Sequence, residues 1–361
     1  MIGYGIMKGS RENLPAVRCE CCNRLLFRGL VDIVEIKCPK CGVVHLLKSR
    51  EQEGLPAFGL LKKGGRQAEL LRGSSVQIAT DSVGRLITIP RRPQRVIALN
   101  ASNLELYYAT GGKVIGRALT ETLSPSVRDK VRNIPTVGIP PNPNTELIIA
   151  MNPDLVLGMN APRHHELAAV LEKAGIPILL QDLTHYIDVL EALRFYGELS
   201  GKPEQANEKI RKIEAKYQDL AEQSSHKQSP KVLILWGTED GLYTALSNSF
   251  IGDLVKRLGG VNVSDPFASV SGNLSYAPFS LEAALRAQPE VVLLITHCFG
   301  QEAQDKLRCE LLGHPIWQEL NAIRKKHVYQ LPYRLFTVNP GPQIGEALTI
   351  LFDFLYEDHA S

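Results

Sequence analysis

The sequence contains a helix-then-strand pattern that occurs twice at a constant offset along the chain. Residues 144–157, NTELIIAMNPDLVL, match residues 280–293, SLEAALRAQPEVVL, with an acidic residue, a proline and an apolar run in the same register. An acidic residue also precedes a Gly-Gly pair by six positions twice, at Glu105 and at Asp253. A pattern that occurs twice predicts two lobes of similar design, each with a helix that leads through proline into a buried strand.

Apolar runs rich in β-branched residues alternate with amphipathic stretches of helical length from Val76 onward. This alternation predicts an α/β fold with two Rossmann-like lobes, whose parallel sheets are covered by helices on both faces. The predicted strands lie near 95–99, 154–158, 176–180, 232–236, 291–297 and 327–331, and the predicted helices near 103–110, 165–174, 250–258 and 341–356.

A long helical stretch from Tyr186 to Ser224 separates the two copies and is interrupted at Gly201 and Pro203. Glycine commonly ends a helix and proline commonly begins the next one, so we expect a stiff bridge between the lobes. A ligand then belongs in the cleft between the lobes, at the carboxyl ends of the strands. The predicted divisions are a zinc ribbon at 1–47, a linker at 48–75, an N-terminal lobe at 76–185, a connecting helix at 186–225 and a C-terminal lobe at 226–361.

Four cysteines near the N-terminus have the spacing of a structural zinc ribbon. Cys19 and Cys22 form one Cys-x2-Cys pair, and Cys38 and Cys41 form a second pair after an intervening stretch at 23–37. Two such pairs together close a tetrahedron around one zinc ion. Disulfides are the alternative, but they suit poorly a chain that begins without a secretory signal.

The composition is typical of a folded soluble protein, with 44% hydrophobic and 22% charged residues. The apolar runs are far shorter than the roughly 18 residues that a spanning helix needs, so we expect no integral membrane segment. The N-terminal stretch at 1–18, MIGYGIMKGSRENLPAVR, contains no apolar core of a signal peptide. As written, the chain is therefore expected in the cytoplasm.

The segment RCECCNRLLFRGLVDIVEIKCPKCGVVHLL resembles the Com zinc-ribbon family of phage translational regulators, over about residues 17–47. The resemblance implies RNA as a partner of this segment. Residues 1–75 carry 13 Lys and Arg against 7 Asp and Glu, a balance that suits an anionic partner. The alternative is a zinc-stabilised module whose charges are merely solvated.

The remainder of the chain contains several motifs in a definite order and spacing, which are ITIPxxPxRVIA from residue 87, NLELxYAxGG from 103, NPDLV from 152, KAGIPI from 173 and FIGDL from 250. In this order they resemble the helical-backbone family of substrate-binding proteins of ABC importers, over about residues 76–358. It implies a ferric siderophore, haem or cobalamin as ligand and an ABC permease as partner. Members of that family are normally extracytoplasmic, in contrast to the location expected from the N-terminus.

Candidate ligand-binding residues follow the predicted strands. Imidazoles suit iron and cobalt, and aromatic faces with a guanidinium suit a flat, partly anionic chelate. Of the adjacent His164 and His165, only one is expected to face the cleft, because neighbouring side chains on a helix point about 100° apart. The alternative for each candidate is a role in packing or, for the two histidines, a position at the start of a helix without ligand contact. The candidates are Asn160, His164, His165, Trp236, Tyr243, Tyr276, His297, Tyr333 and Arg334.

The resemblance also implies one permease-contacting glutamate in each lobe, at Glu166 and Glu282 by position. The alternative for both is that an acidic residue early in a helix is favoured by the helix dipole alone.

The sequence predicts a binding protein and not an enzyme, since it contains no Gly-rich phosphate loop, nucleophile elbow or HExxH motif. We expect it to bind a metal chelate between its lobes, as the substrate-binding component of an ABC-type importer or an internal counterpart of one. Two alternatives stay open. One is a ligand-responsive regulator that binds nucleic acid through the zinc ribbon, and the other is a tetrapyrrole metal chelatase, which needs an acid–base pair near its histidine.

Overall fold

The computed structural model divides the chain into two compact units, Met1–Pro56 and Ala57–Ser361. Besides five strands before residue 61, it describes residues 75–238, 241–267, 275–296, 315–337 and 339–356.

The first unit contains two pairs of antiparallel strands. Strand β1 (Ala16–Arg18) pairs with β2 (Leu25–Arg28), and β3 (Ile33–Lys37) pairs with β4 (Val44–Lys48). In the sequence, the first Cys-x2-Cys pair falls between β1 and β2, and the second pair falls between β3 and β4. The cysteines themselves lie outside the described residues.

The second unit begins with a three-stranded antiparallel sheet in the order β5-β6-β7. Strand β5 (Gly59–Leu60) pairs with β6 (Val76–Thr80), which pairs with β7 (Leu86–Pro90). The stretch 48–75, predicted as a linker, therefore contributes a short strand to the second unit. The sequence did not predict the β6–β7 hairpin.

The first lobe is a parallel sheet in the order β13-β12-β8-β9, with helices between its strands. Its elements are β8 (Val96–Ala98), α1 (Ala101–Ala109), β9 (Val114–Arg117), α2 (Pro125–Val131), β10 (Gly138–Ile139), β11 (Asn142–Pro143), α3 (Thr145–Ala150), β12 (Leu155–Met159), α4 (Pro162–Lys173) and β13 (Ile178–Gln181).

Two helices connect the lobes, α5 (Tyr186–Ser200) and α6 (Pro203–Ser225). Gly201 adopts the left-handed conformation at φ 71° and ends α5, while Pro203 opens α6. The interruption predicted from these two residues is confirmed, so the bridge consists of two helices.

The second lobe has a mixed sheet in the order β17-β15-β14-β18-β19, and β16 pairs with the start of β14. Its elements are β14 (Lys231–Thr238), β15 (Gly241–Ala245), α7 (Phe250–Arg257), β16 (Val261–Asn262), β17 (Tyr276–Pro278), α8 (Leu281–Ala287), β18 (Val291–Thr296), α9 (Asn321–Arg324), β19 (Val328–Gln330), α10 (Tyr333–Phe336) and α11 (Ile344–Tyr356).

The sequence repeat corresponds to one structural unit that occurs twice. The four parallel strands β19-β18-β14-β16 of the second lobe repeat the order β13-β12-β8-β9 of the first. Helix α3 is capped by Asn144, which accepts from the amide of Leu147, and α8 is capped by Ser280, which accepts from the amide of Ala283. Both caps and both donors are separated by the offset of the sequence repeat, so the predicted duplication and the two-lobed α/β class are confirmed.

Both faces of each parallel sheet are buried under helices, which explains why the strands consist of continuous apolar runs. In β8, Val96 and Ala98 face a core that extends through both lobes, while Ile97 faces a separate core under α4. In β14, Ile234 joins the shared core and Leu233 faces a third core near α8. The continuous core makes the second unit one folded body.

Polar contacts also join the lobes beside this core. Ser102 Oγ on α1 donates to the carbonyl of Asn339 at 2.6 Å, and Asn339 Nδ2 donates to the carbonyl of Leu183 at 2.8 Å. Gln343 Nε2 donates to Glu105 Oε2 at 3.0 Å. The segment 339–343 of the second lobe is thus held against the first lobe. Within the described ranges, the structure contains no helix both long and apolar enough to cross a membrane.

Candidate functional site

Three polar side chains meet where β12 and β13 end. Asn160 follows β12, Asp182 follows β13, and His165 lies in the first turns of α4. His165 Nε2 lies 2.8 Å from Asn160 Oδ1, and Asn160 Nδ2 donates to Asp182 Oδ2 at 3.3 Å. Asn160 and His165 are exposed, so both are accessible to a ligand. Asp182 was missed in the sequence, although its place directly after a predicted strand was a usable signal.

His164 is fully buried, unlike its neighbour. Its Nδ1 accepts from the amide of Met159 at 3.1 Å, and its Nε2 lies 2.7 Å from the carbonyl of Pro140. A carbonyl only accepts, so Nε2 carries the proton and both ring nitrogens are used. Burial lowers the pKa of His164, with a smaller opposing effect from the Pro140 carbonyl. His164 is a neutral structural histidine in this geometry, which leaves His165 as the accessible member of the pair.

The second lobe presents three aromatic residues on one face of its sheet, which we name the aromatic face: Trp236, Tyr243 and Tyr276. Trp236 lies opposite Tyr243 in the antiparallel register, and the rings of Trp236 and Tyr276 are 5.0 Å apart. All three are half-buried. Burial raises the pKa of Tyr276 to about 12, so it is a protonated phenol at neutral pH. The face therefore offers flat apolar surface with hydroxyl groups.

Tyr333 is the first residue of α10 and follows β19, as expected for a residue after the predicted strand. Burial raises the pKa of Tyr333, and so does the negative charge of Glu121, which belongs to the first lobe. Arg334, which follows Tyr333, pairs with Glu346 at 3.0 Å and is used within its own lobe.

Of the predicted residues, Asn160 and His165 meet beside Asp182, and we name these three the polar group of the first lobe. Trp236, Tyr243 and Tyr276 form the aromatic face, and His164, Tyr333 and Arg334 belong to neither. His297 lies outside the described residues, as do Cys19, Cys22, Cys38 and Cys41. In the described part of the chain, no cluster of three or more His, Cys, Asp or Glu side chains is arranged to hold a metal ion.

The predicted permease residues Glu166 and Glu282 differ in position. Glu282 lies in the first turn of α8 and pairs with Arg286 at 2.8 Å, whereas Glu166 lies beyond the first turn of α4 and pairs with Arg163 at 3.0 Å. The residue that matches Glu282 in the sequence repeat is Glu146, which is exposed in the first turn of α3. The repeat therefore makes Glu146, and not Glu166, the counterpart of Glu282. The spacing alone was a sufficient signal for this equivalence.

Comparison with known proteins agrees with this architecture. The sequence profile of the periplasmic binding protein family matches residues 96–335, and that of the Mu-like prophage protein Com matches residues 13–54. The chain belongs to the periplasmic binding protein family. It carries a Com-like zinc-ribbon segment at its N-terminus.

One group of relatives is named for heme. The high-affinity heme uptake system protein IsdE of Staphylococcus aureus is 25% identical over 233 residues, which are 64% of this chain and 77% of that protein. The structure of S. aureus IsdE complexed with heme matches 73% of this chain and 99% of that chain, with 23% identity and a TM-score of 0.63.

Two further solved structures show the same fold. A protein of the ABC-type Fe3+-hydroxamate transport system of Saccharomonospora viridis is 23% identical, with 77% and 98% of the two chains covered and a TM-score of 0.62. The vitamin B12 binding protein BtuF of Vibrio cholerae is 21% identical, with 74% and 98% covered and a TM-score of 0.59. The names of these three proteins contain three different ligands, so the shared fold does not by itself identify a ligand.

Proposed function

We propose that this protein binds a metal chelate, of the haem, ferric siderophore or cobalamin class, between the carboxyl-end loops of its two lobes. It does so as the substrate-binding component of an ABC-type importer or as an internal counterpart of one. The observation that carries the proposal is that one lobe presents an accessible imidazole and the other lobe presents the aromatic face. An imidazole suits the metal, and aromatic rings suit the macrocycle or catecholate around it.

The contacts between the lobes support a shared site. Asn339 of the second lobe bonds to the carbonyl of Leu183, which is adjacent to Asp182. The loop that follows β13 therefore reaches the junction with the second lobe, where a ligand would lie.

Tryptophan fluorescence tests this proposal, because the chain has two tryptophans in different surroundings. Trp236 is half-buried on the aromatic face, whereas Trp317 is buried and stacks on Phe279 at 5.3 Å. Titration with ferric haem, cyanocobalamin and a ferric hydroxamate should quench the wild type and Trp317→Phe with one of these chelates. Trp236→Phe should lose most of the signal. The proposal would be refuted if none of the three chelates bound to the protein.

Docking to a permease is the second part of the proposal, through Glu146 and Glu282. Both carboxylates are exposed at equivalent positions of the two lobes, so they form a symmetric pair that suits two basic pockets. Glu146→Lys and Glu282→Lys should each reduce uptake of the chelate by vesicles that contain the permease, with chelate binding unchanged. Glu166→Lys is the matched control, and an equal loss from that variant would contradict the assignment.

Catalysis as a chelatase has no support in this geometry. That alternative needs an acid–base pair near the histidine, but Glu166 bonds Arg163 and His165 bonds Asn160. The relatives named above are binding and uptake proteins.

One structural zinc ion is proposed for Cys19, Cys22, Cys38 and Cys41. The spacing of the pairs, the match to Com and the position of each pair between two antiparallel strands support it. Cys38→Ser should release the zinc, measured by atomic absorption, and leave chelate binding intact. RNA binding by residues 17–47 stays a prediction that an electrophoretic shift assay can test.

Location in the cell decides between importer subunit and internal counterpart. The family is normally extracytoplasmic, and the expected cytoplasmic location stays a prediction. Fractionation of cells that carry a C-terminal tag tests it, since access of external protease to the tag would contradict a cytoplasmic chain.

A further inference from the structure

A chain of hydrogen bonds determines which ring nitrogen of His165 carries the proton. The carboxylate of Asp182 can only accept, so the contact at 3.3 Å requires Asn160 to turn its Nδ2 toward it. Asn160 Oδ1 then faces His165 Nε2 at 2.8 Å and can only accept from it. His165 is therefore protonated on Nε2 when its ring is neutral.

The same bonds leave Nδ1 of His165 with an unshared electron pair. A histidine that binds a metal almost always donates its other ring N–H to an oxygen acceptor, which sets the tautomer and orients the ring. Asn160 and Asp182 supply that support before any ligand arrives. In His164, by contrast, both nitrogens are bound to backbone groups.

The position of this network suits a ligand shared by the lobes. Asp182 precedes Leu183, whose carbonyl accepts from Asn339 of the second lobe at 2.8 Å. Asn160 and His165 are exposed there, and Asp182 is half-buried. An imidazole at this junction can reach a metal held between the lobes.

We propose that Asp182 and Asn160 position His165 so that its Nδ1 coordinates the metal of the bound chelate. The chelate must then have an open axial position, as haem does, and the imidazole lone pair fills it with no proton released. This inference rests on the proposed function and narrows its ligand class. Asp182 and Asn160 are positioning residues, and His165 is the residue that contacts the ligand.

The test uses the full chain with two probes, ferric haem and metal-free protoporphyrin IX. His165→Ala should abolish the imidazole signature in the haem absorption spectrum and weaken haem binding about tenfold or more, because one coordination bond is lost. It should weaken binding of the metal-free porphyrin much less, because that ring has no metal to coordinate. His226→Ala, at an exposed histidine after α6, is the matched control and should leave both probes unaffected.

The positioning role is tested by an exchange of side chains. Asn160→Ala should weaken haem binding about 10-fold to 100-fold, the usual cost of losing such a supporting partner. Asn160→Asp combined with Asp182→Asn keeps one carboxylate and one amide and still accepts from Nε2, so it should restore haem affinity and spectrum. A merely structural role of Asn160 would weaken both porphyrins equally.

The outcomes separate this inference from the proposed function. Haem binding with an unchanged spectrum in His165→Ala would overturn the inference and leave chelate binding in place. Binding of a coordinatively saturated ferric hydroxamate alone would overturn it too, because that complex offers Nδ1 no open position. Absence of binding to haem, cobalamin and hydroxamate would overturn the proposed function and the inference together.

Discussion

The two lobes share one scaffold but differ where a ligand would lie. The chain from the first parallel strand to the Gly-Gly pair covers 96–112 in the first lobe and 231–260 in the second, and the added length forms β15. Strands β15 and β17 then extend the sheet and carry Tyr243 and Tyr276 beside Trp236. The first lobe lacks a counterpart of this extension among its described strands and presents polar side chains there. The lobes share a repeated framework, and β15, with β17 paired to it, makes the second lobe chemically different from the first.

The backbone just after the inserted strand β15 lies very close to the helix that follows it. A substitution that blocks this close approach should have the largest effect on stability. A Cβ on Gly252 in α7 would overlap the carbonyl oxygen of Leu246, just after β15. Asn103 occupies the equivalent place, third after the N-cap, in α1. Gly252→Ala should lower the free energy of unfolding in urea by about 3–4 kcal/mol. An unchanged urea midpoint would show that the Leu246 backbone, just after β15, does not restrict position 252 of α7.

Gly345 in α11 is the matched control for that substitution. The nearest atom to its added Cβ is Lys216 Cγ at 3.8 Å, an ordinary contact. Gly345→Ala should therefore be neutral or stabilising by up to about 1 kcal/mol, because alanine favours a helix more than glycine does.

Glu105 and Asp253, the acidic residues that precede the two Gly-Gly pairs, can be compared by mutation at the junction of the lobes. Glu105 is buried and accepts from Ser124 and Gln343, whereas Asp253 accepts from Tyr186 and Arg257. Glu105→Ala leaves buried donors without a partner and should cost about 2–3 kcal/mol. Glu105→Gln keeps an acceptor and should cost less, measured by urea unfolding. Equal losses from both variants would show that packing, and not hydrogen bonding, is what Glu105 contributes.

The pH dependence of stability tests the surroundings of the Tyr276 phenol on the aromatic face. Burial raises the pKa of Tyr276 to about 12, from 10.0. A group whose folded pKa is raised contributes stability that is complete below its unfolded pKa and is lost as pH rises through the folded pKa. Between pH 10 and 12, the free energy of unfolding should therefore fall more steeply in the wild type than in Tyr276→Phe. Parallel curves would show that Tyr276 is as solvated as an ordinary tyrosine.

The smallest effect is expected at the equivalent surface glutamates. The Glu282–Arg286 pair is highly exposed, with 84% and 78% of the two side chains accessible. Exposed ion pairs contribute about 0–1 kcal/mol, so Glu282→Gln and Glu146→Gln should hardly change the thermal midpoint. A large loss from only one of them would break the equivalence of α3 and α8.

Much of the fold was predictable, because the signals for it are local. Buried strands in parallel sheets are continuous apolar runs, and the predicted strands coincide closely with those observed. Gly201 and Pro203 predicted the break between α5 and α6, since each has a strong positional preference at helix ends. Pairings across longer stretches of chain, such as β5 with β6 and β14 with β18, have no comparable local signal.

Within the candidate site, the sequence by itself determined the duplication, the aromatic and polar residues after the strands, and the cysteine spacing of the zinc ribbon. Only the tertiary structure decided which of two adjacent histidines is accessible. His164 is buried and bonds the carbonyl of Pro140, from an earlier loop, whereas His165 bonds Asn160, which in turn bonds Asp182 at the next strand end. A side chain's partners come from distant parts of the chain, so spacing can name candidates at a strand end, but only packing determines which of them a ligand can reach.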